Sequence, residues 1–395
     1  MRWLIVEDAL RDCKGHWFEY LGTFARELKG LGDEVTILGD RAAEPFLREQ
    51  LSVLPVLPDS IWHRMGDGAW PLRRYLRVPG HAWNTFRAIK QFLGRNEKFD
   101  LIFVPTVLVH HLLGWRWLIK WVLPKTGSRV LLFFPNTPIT LGETSGEPAW
   151  QTAPTAKLFN RLIRSLRPEV EQGRVVLGAE THPMCDALTK LTGLKFTYLP
   201  HPVAPLAEPS KSERGQQSEK LVFGSYGSAR HEKGPDVLVP AVEEFCRRFP
   251  DSKVQFALQC VDGDKSLWNR LEGNPKVRLI PDYFPSGGYA KQLHATDALL
   301  LPYRRSSYAL RVSRVVIEAM VQGLPVVTTA GTTSEDQTKE FGAATFCRDG
   351  DVDSLVHAIS EAESRFSELL AAAIARKAAA QKHFSVGQFR ATLTT

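Results

Sequence analysis

Arg230 and Lys233 lie close together in the run GSYGSARHEKG, residues 224–234, where small residues close an apolar stretch and Lys233-Gly234 opens a helix-forming one. Small residues such as Gly227 let a diphosphate approach the backbone, and two fixed cations can hold its charge. A solvated basic turn has the same composition, so this run alone leaves both readings open. Farther along, DALLLPYRRSSYALRVSRVVIEAMVQGLPVVTT, residues 297–329, passes from an apolar strand through a polar loop into a helix. Ser313 is placed as the N-cap of that helix, so the amides of Arg314 and the residues after it face any anion bound there. Glu318 falls among Val316, Ile317 and Ala319. A carboxylate so placed can accept hydrogen bonds from two neighbouring hydroxyl groups, whereas a structural Glu more often faces solvent.

The elements that must position these residues follow from hydrophobic periodicity. WLIVE is a short apolar run, GHWFEYLGTFARELKGLG has apolar residues at helical spacing, and EVTILGD is a β-branched run closed by Gly39-Asp40. Together they form a βαβ unit, whose crossover implies a parallel sheet. The alternation recurs at FDLIFVP, SRVLLFFPN and GRVVLGAE. It lapses in LPHPVAPLAEPSKSERGQQSEK, residues 199–220, where Pro, Ser and charged residues give the composition of a linker. It resumes with KLVFGSYG, PDVLVPAVEEFCRRF, SKVQFALQC, KVRLIP and YAKQLHATDALLLPY. From Asp353 to about Lys382 the Ala- and Glu-rich sequence predicts two long helices.

The expected fold class is therefore α/β, with two Rossmann-like, doubly wound parallel-sheet domains facing a central cleft. Residues 1–200 form the first and 201–375 the second, and 376–395 form a C-terminal helix that can pack back on the first. Ligands of open α/β sheets sit at the carboxyl ends of the strands. Both runs that carry the cations and Glu318 begin at such an end.

Length and composition agree with two domains: 395 residues exceed one ordinary core, and 44% hydrophobic with 24% charged residues describes a folded chain. The opening MRWLIVEDALRDCKGH has too few apolar residues for a secretory signal, so the chain reads as cytoplasmic. Cys13, Cys185, Cys246, Cys260 and Cys347 are scattered, with no pair spaced for zinc or a disulfide framework. A net charge of +7 favours anionic partners, phosphorylated ligands or acidic lipid among them. No zinc finger, aromatic RNA-binding signature or dense Lys/Arg run is present, and nucleic acid is not expected as a partner. No Asp-x-Asp stands at the end of an apolar strand to hold a divalent cation, and DGD at 262–264 and 349–351 reads as turns. The site residues include no metal ligand, and no cofactor is called for.

The order GSARHEKG, DALLLPY, EAM at 318–320 and GLPVV at 323–327 resembles glycosyltransferase family 4, the retaining GT-B enzymes called group 1. The resemblance covers most of the C-terminal half and, more weakly, GHWFEYLGTFARELKGLGDEVTILG. It implies a nucleoside-diphosphate sugar donor whose diphosphate is held by Arg230 and Lys233. It makes Glu318 the counterpart of the second Glu of a paired-glutamate motif that grips the nucleotide ribose. Gly15-His16 matches the glycine loop of the N-terminal domain, which faces donor phosphates and acceptor, and His110, with His111, falls where relatives place a histidine near the donor sugar. A histidine on an apolar helix is more often a core residue.

Two departures stand out. Leu310 occupies the place of the first paired Glu, leaving Tyr308, Arg311 and the Ser313-Arg314 backbone as alternatives for contacting the donor sugar. Ser228 stands where the family's phosphate-binding Arg follows its glycine, so Arg230 must act from two positions along. The resemblance implies a retaining, metal-independent hexosyl transfer to a hydroxyl on a saccharide or lipid-linked acceptor, in cell-envelope or exopolysaccharide synthesis. The departures also motivate the alternative of a catalytically inactive GT-B-like scaffold.

Between residues 61 and 124, IWHRMGDGAWPLRRYLRV and HHLLGWRWLIKWVLPK interleave Trp with Arg and Lys. The charges argue against a transmembrane span. An interfacial helix at the inner face of the membrane and an ordinary buried helix with a snorkelling Lys120 fit equally well.

Overall fold

The computed structural model describes residues 1–12, 17–58, 60, 71–95, 98–142, 146–206, 220–285 and 287–394. The chain divides into two compact units, Met1–Pro202 with Val386–Thr395, and Val203–Ser385.

The first unit contains β1 (Arg2–Val6), β2 (Glu34–Asp40), β3 (Val53–Leu57), β4 (Leu101–Val104), β5 (Arg129–Phe134), β6 (Ile139–Leu141), β7 (Pro148–Trp150), β8 (Val175–Ala179) and β9 (Thr197–Tyr198). Seven strands form a parallel sheet in the order β3-β2-β1-β4-β5-β8-β9, and β6 and β7 pair as an antiparallel hairpin. The central strands β1, β4 and β5 are buried on both faces, which explains their unbroken apolar runs. Strand order reverses between β1 and β4, so their carboxyl ends open the crevice of this sheet. The helix Trp17–Gly30 covers one face, where Phe24 packs against Trp3 and Phe103. The C-terminal helix Val386–Thr394 joins it there: Phe389 sits edge-on to Phe24, and Arg390 pairs through Nε and Nη2 with Asp33 at 2.6 and 2.9 Å.

The second unit contains β10 (Leu221–Ser225), β11 (Val254–Gln259), β12 (Val277–Ile280), β13 (Ala298–Leu301), β14 (Val326–Thr329) and β15 (Ala344–Cys347), all parallel in the order β12-β11-β10-β13-β14-β15. Its switch point lies between β10 and β13, the two strands that feed the Lys233 and Ser313 loops. The fold is GT-B, two parallel-sheet α/β units. Position 376, the expected start of the terminal helix, falls inside the helix Phe366–His383. The run AAAIARKAAAQKH continues that helix without a breaker, and the units part at Ser385/Val386.

Candidate functional site

In the second unit, β10 ends at Ser225 and the chain turns at Gly227, whose φ is +97°. The Gly227 amide donates to Gln259 Oε1 at 2.7 Å, and Gln259 in turn donates to the Asp282 carbonyl, fixing the turn between β11 and the loop after β12. A Cβ on Gly227 would lie 2.4 Å from Lys233 Nζ, so the missing side chain is the space the ammonium occupies. Gly234, at φ +71°, comes equally close to the Pro302 carbonyl, where a Cβ would lie 2.2 Å from the oxygen. These two glycines pin the Lys233 turn to the ends of β10 and β13.

Lys233 Nζ donates to the Tyr226 carbonyl at 3.4 Å. Burial and the neighbouring Arg230 push its pKa down to about 8, against the opposing pull of Glu232 and Glu318. Among the described residues it is a cation with one weak hydrogen-bond partner, and its desolvation cost is one that an anion would relieve. Arg230 is exposed and pairs loosely with Glu232, Nε to Oε1 at 3.2 Å.

Ser313 caps the helix Arg314–Gln322, its hydroxyl accepting from the Val316 amide at 3.4 Å. The capped N-terminus carries the positive end of the helix dipole at the switch point. Glu318, 8% exposed, is held from both sides: Oε1 accepts from Arg314 Nε at 2.8 Å, and Oε2 accepts from the Tyr289 hydroxyl. Tyr289 stands on the helix Gly288–His294. Burial and the adjacent Glu318 raise its phenol well above the usual range, so it stays a donor. Each oxygen of Glu318 can accept a second hydrogen bond.

Tyr308 is packed away, stacked on Tyr303 with centroids 4.4 Å apart and with the Arg311 guanidinium 5.5 Å from its ring. Leu310, in the place of the absent Glu, is buried. The residues singled out in the sequence thus converge electrostatically: Lys233 feels Arg230, Glu232 and Glu318, and Tyr303 feels Ser313, Glu318 and Arg230. Tyr289 and Gln259 were missed, because neither carries a local signal and both act through long-range contacts. Both Asp-Gly-Asp runs are helix starts, with Asp264 and Asp351 accepting from the Ser266 and Ser354 amides.

In the first unit, Gly15 and His16 lie outside the described residues. His110 and His111 begin the helix Val109–Trp121 beyond the end of β4, and both are buried. They meet two residues from the end of β1, Glu7 and Asp8. His111 Nε2 lies 3.0 Å from both Asp8 Oδ2 and His110 Nε2, and His81 Nε2 lies 3.2 Å from the same Asp8 oxygen. Donor atoms of Asp8, His110 and His111 cluster within 4.8 Å, close enough to surround a metal ion. The Leu108 amide, however, donates to His111 Nδ1 at 3.2 Å. That bond leaves the proton on Nε2, pointing at Asp8, and a cation cannot take the same nitrogen while it stands. Asp8, His81, His110 and His111 thus form a buried polar cluster centred on the Asp8 carboxylate.

Burial raises Asp8, but His111 and His81 more than reverse it and hold the carboxyl below the usual range. Glu7 goes the other way, pushed up to about 7 by burial and by Asp8. Burial and His111 push His110 down to about 2, so it is neutral at physiological pH and serves as a hydrogen-bonding group rather than an acid.

Residues 220–364 match the family model described as Glycosyl transferases group 1. No curated protein matches the chain. Among solved structures it is similar to HepE of Anabaena in complex with UDP and glucose, at 13% identity and a TM-score of 0.67 over 100% of this chain and 98% of that one. It is similar also to sucrose-phosphate synthase of Thermosynechococcus elongatus, at 13% identity and a TM-score of 0.66 over 100% and 97%. A third is the lipopolysaccharide outer core galactosyltransferase WaaB, at 11% identity and a TM-score of 0.62 over 100% and 99%. The matched residues 220–364, which include the cation-lined switch point, are thus similar to group 1 glycosyl transferases, on a chain of GT-B fold.

Proposed function

We propose that the protein transfers a hexosyl group from a nucleoside-diphosphate sugar to a hydroxyl acceptor, with retention of configuration and without a metal ion, as a member of glycosyltransferase family 4. The observation that carries this reading is Lys233: a partly desolvated ammonium, seated in the space of Gly227 at the β10/β13 switch point and within the field of Glu318. The diphosphate lies against Lys233 and Arg230, and the Ser313-capped helix N-terminus faces the same charge. As the glycosidic bond to the β-phosphate breaks, these fixed cations and the helix dipole take the charge of the departing diphosphate, the role a divalent ion plays elsewhere. The acceptor hydroxyl attacks on the face the diphosphate leaves, its oxygen forming the new bond to the anomeric carbon as the old one breaks, and it gives its proton to the departing β-phosphate oxygen. Glu318 accepts the ribose hydroxyls through the lone pairs left by Arg314 and Tyr289. Ser313-Arg314 and Arg311 serve the donor sugar in place of Leu310, whereas Tyr308 shapes the wall.

The acceptor belongs to the first unit, which presents neutral His110 and whose sequence carries Gly15-His16, and is a saccharide or lipid-linked hydroxyl of cell-envelope or exopolysaccharide synthesis. UDP-glucose, bound in the HepE structure, is the first donor to try. The test is turnover of a panel of nucleotide sugars with and without EDTA, with the anomeric configuration of the product read by NMR. Transfer that survives EDTA and keeps the anomeric configuration is expected. Activity lost to EDTA and restored by manganese overturns the metal-free step. Nucleotide binding without turnover of any donor, by hydrolysis or transfer, overturns the enzyme reading in favour of a scaffold.

A further inference from the structure

The helices Pro71–Leu93 and Val109–Trp121 pack side by side in the first unit through an aromatic cluster. Trp83 stacks on Phe86 with centroids 5.4 Å apart, Trp117 lies parallel to Trp121 at 6.2 Å, and edges of the two pairs meet at 6.0 to 6.1 Å. Much of this cluster faces outward: Trp83 is 48% exposed and Trp121 57%. Two indoles left in water on one ledge are a cost that a folded chain normally removes by burial.

The charge around the ledge is one-sided. The chain has 43 acidic residues, yet the helix Pro71–Leu93 contains none against five basic ones, and the helix Val109–Trp121 contains none against two. Along the first helix the exposed positions Trp83, Arg87 and Lys90 recur at helical spacing, which lines indole, guanidinium and ammonium along one face. Lys90 Nζ reaches back to within 5.8 Å of the Phe86 ring, keeping its stem on the aromatic surface. The Asp33-bound C-terminal helix lies with Trp17–Gly30, on the helices that follow β1. The connections β3 to β4 and β4 to β5 run the other way across the sheet, so right-handed crossovers put the cationic pair on its opposite face.

We infer that this face docks on an anionic phospholipid surface, the two helices lying along the interface with Trp83 and Trp121 at headgroup depth and Arg87 and Lys90 on the phosphates. Indoles prefer that boundary, and each basic residue near an anionic leaflet adds to the attraction. A second copy of the chain is the poorer occupant, since a symmetric contact through this face sets cation against cation. Among the described residues no helix is long and apolar enough to cross a membrane, which fits a docked face.

The experiment is co-sedimentation of the full chain with vesicles of phosphatidylcholine alone and of phosphatidylcholine mixed with phosphatidylglycerol, a readout that does not depend on sugar transfer. Binding to the mixed vesicles is expected to exceed binding to neutral ones by roughly tenfold or more and to weaken with salt. Trp83→Ser with Trp121→Ser should lower binding to the mixed vesicles by roughly tenfold, and Arg87→Gln with Lys90→Gln should remove most of the preference for them. Arg87 and Lys90 are exposed, so their variant should not move the unfolding transition. The tryptophan variant gives up part of the aromatic packing, so circular dichroism checks that it is folded, and Trp83→Phe with Trp121→Phe, which keeps rings in the cluster, should still lower binding. Absence of vesicle binding, equal binding by both double variants, a dimer abolished by the tryptophan variant, or retention on single-stranded nucleic acid instead of vesicles each overturns the assignment.

Discussion

Gly227 and Lys233 share one volume: the position of a Cβ on Gly227 lies 2.4 Å from the Lys233 ammonium. The glycine therefore does for the cation what a pocket does for a ligand, and the two residues should fail together. Lys233→Ala should lose about 1.5–3 kcal/mol of nucleoside-diphosphate affinity through the missing charge-assisted contact. Gly227→Ala should cost a similar amount, because the lysine is displaced and the φ of +97° is strained for any other residue. Arg230→Ala, at an exposed position, should weaken binding without touching the fold. Titration calorimetry with UDP checks all three, and unchanged affinity in the Lys233 and Arg230 variants would remove the phosphate clamp.

The depressed pKa of Lys233 gives nucleotide binding a pH dependence. Without nucleotide the ammonium loses its proton near pH 8, below the ordinary lysine range, whereas a bound diphosphate favours the charged form. Affinity should be flat below pH 8 and fall above it, by at most about tenfold per pH unit for one proton taken up on binding. Lys233→Arg, which stays charged, should flatten the profile. The same shift has a consequence for stability with the opposite sign: the charged lysine is disfavoured in the folded state, so stability of the nucleotide-free protein should rise with pH from about 8 toward the ordinary lysine value.

Glu318 is both a candidate ligand contact and a partner of two protein groups. Glu318→Gln keeps the shape and removes the charge that strengthens hydrogen bonds from Arg314, Tyr289 and the ribose. Donor affinity should fall by about 1–2 kcal/mol, and melting temperature should fall slightly as the Arg314 pair is lost. Tyr289→Phe separates the two effects, since it frees Oε2 of Glu318 while leaving the charge in place. Its affinity loss should be smaller than that of Glu318→Gln. Stability loss with unaltered donor affinity in Glu318→Gln would assign the residue to Arg314 and Tyr289 alone.

Asp33 should control attachment of the C-terminal helix. Burial raises its pKa, but Arg390 and Trp3 are among the groups that more than offset this and bring it down to about 2. A depressed carboxyl stabilises the fold above its unfolded value and loses that contribution as pH falls toward 2. Asp33→Asn should lower stability by about 2 kcal/mol near neutral pH and by little near pH 2, a difference that denaturant melts at the two pH values would show.

Much of this protein could be read from its chain. Alternating strand and helix signals dictated two doubly wound sheets, since β1, β4, β5, β10 and β13 are near-continuous apolar runs that only a two-sided parallel interior accommodates. The Lys233 turn, the Ser313 cap and the strand-end positions of both are local, and local chemistry is written in neighbouring residues. What the tertiary structure decided is what depends on partners far along the sequence. Glu318 has its second partner in Tyr289, and Gly227 is tied to Gln259, contacts that span a helix or a sheet crossover. In the first unit the sequence offered His110 with no acid beside it. Folding brings Asp8 from the end of β1 to His111 beyond β4, because the sheet order sets those two strands side by side although about a hundred residues of chain separate them. Residue type sets what a side chain can do; the crossover connections determine which other side chain it meets.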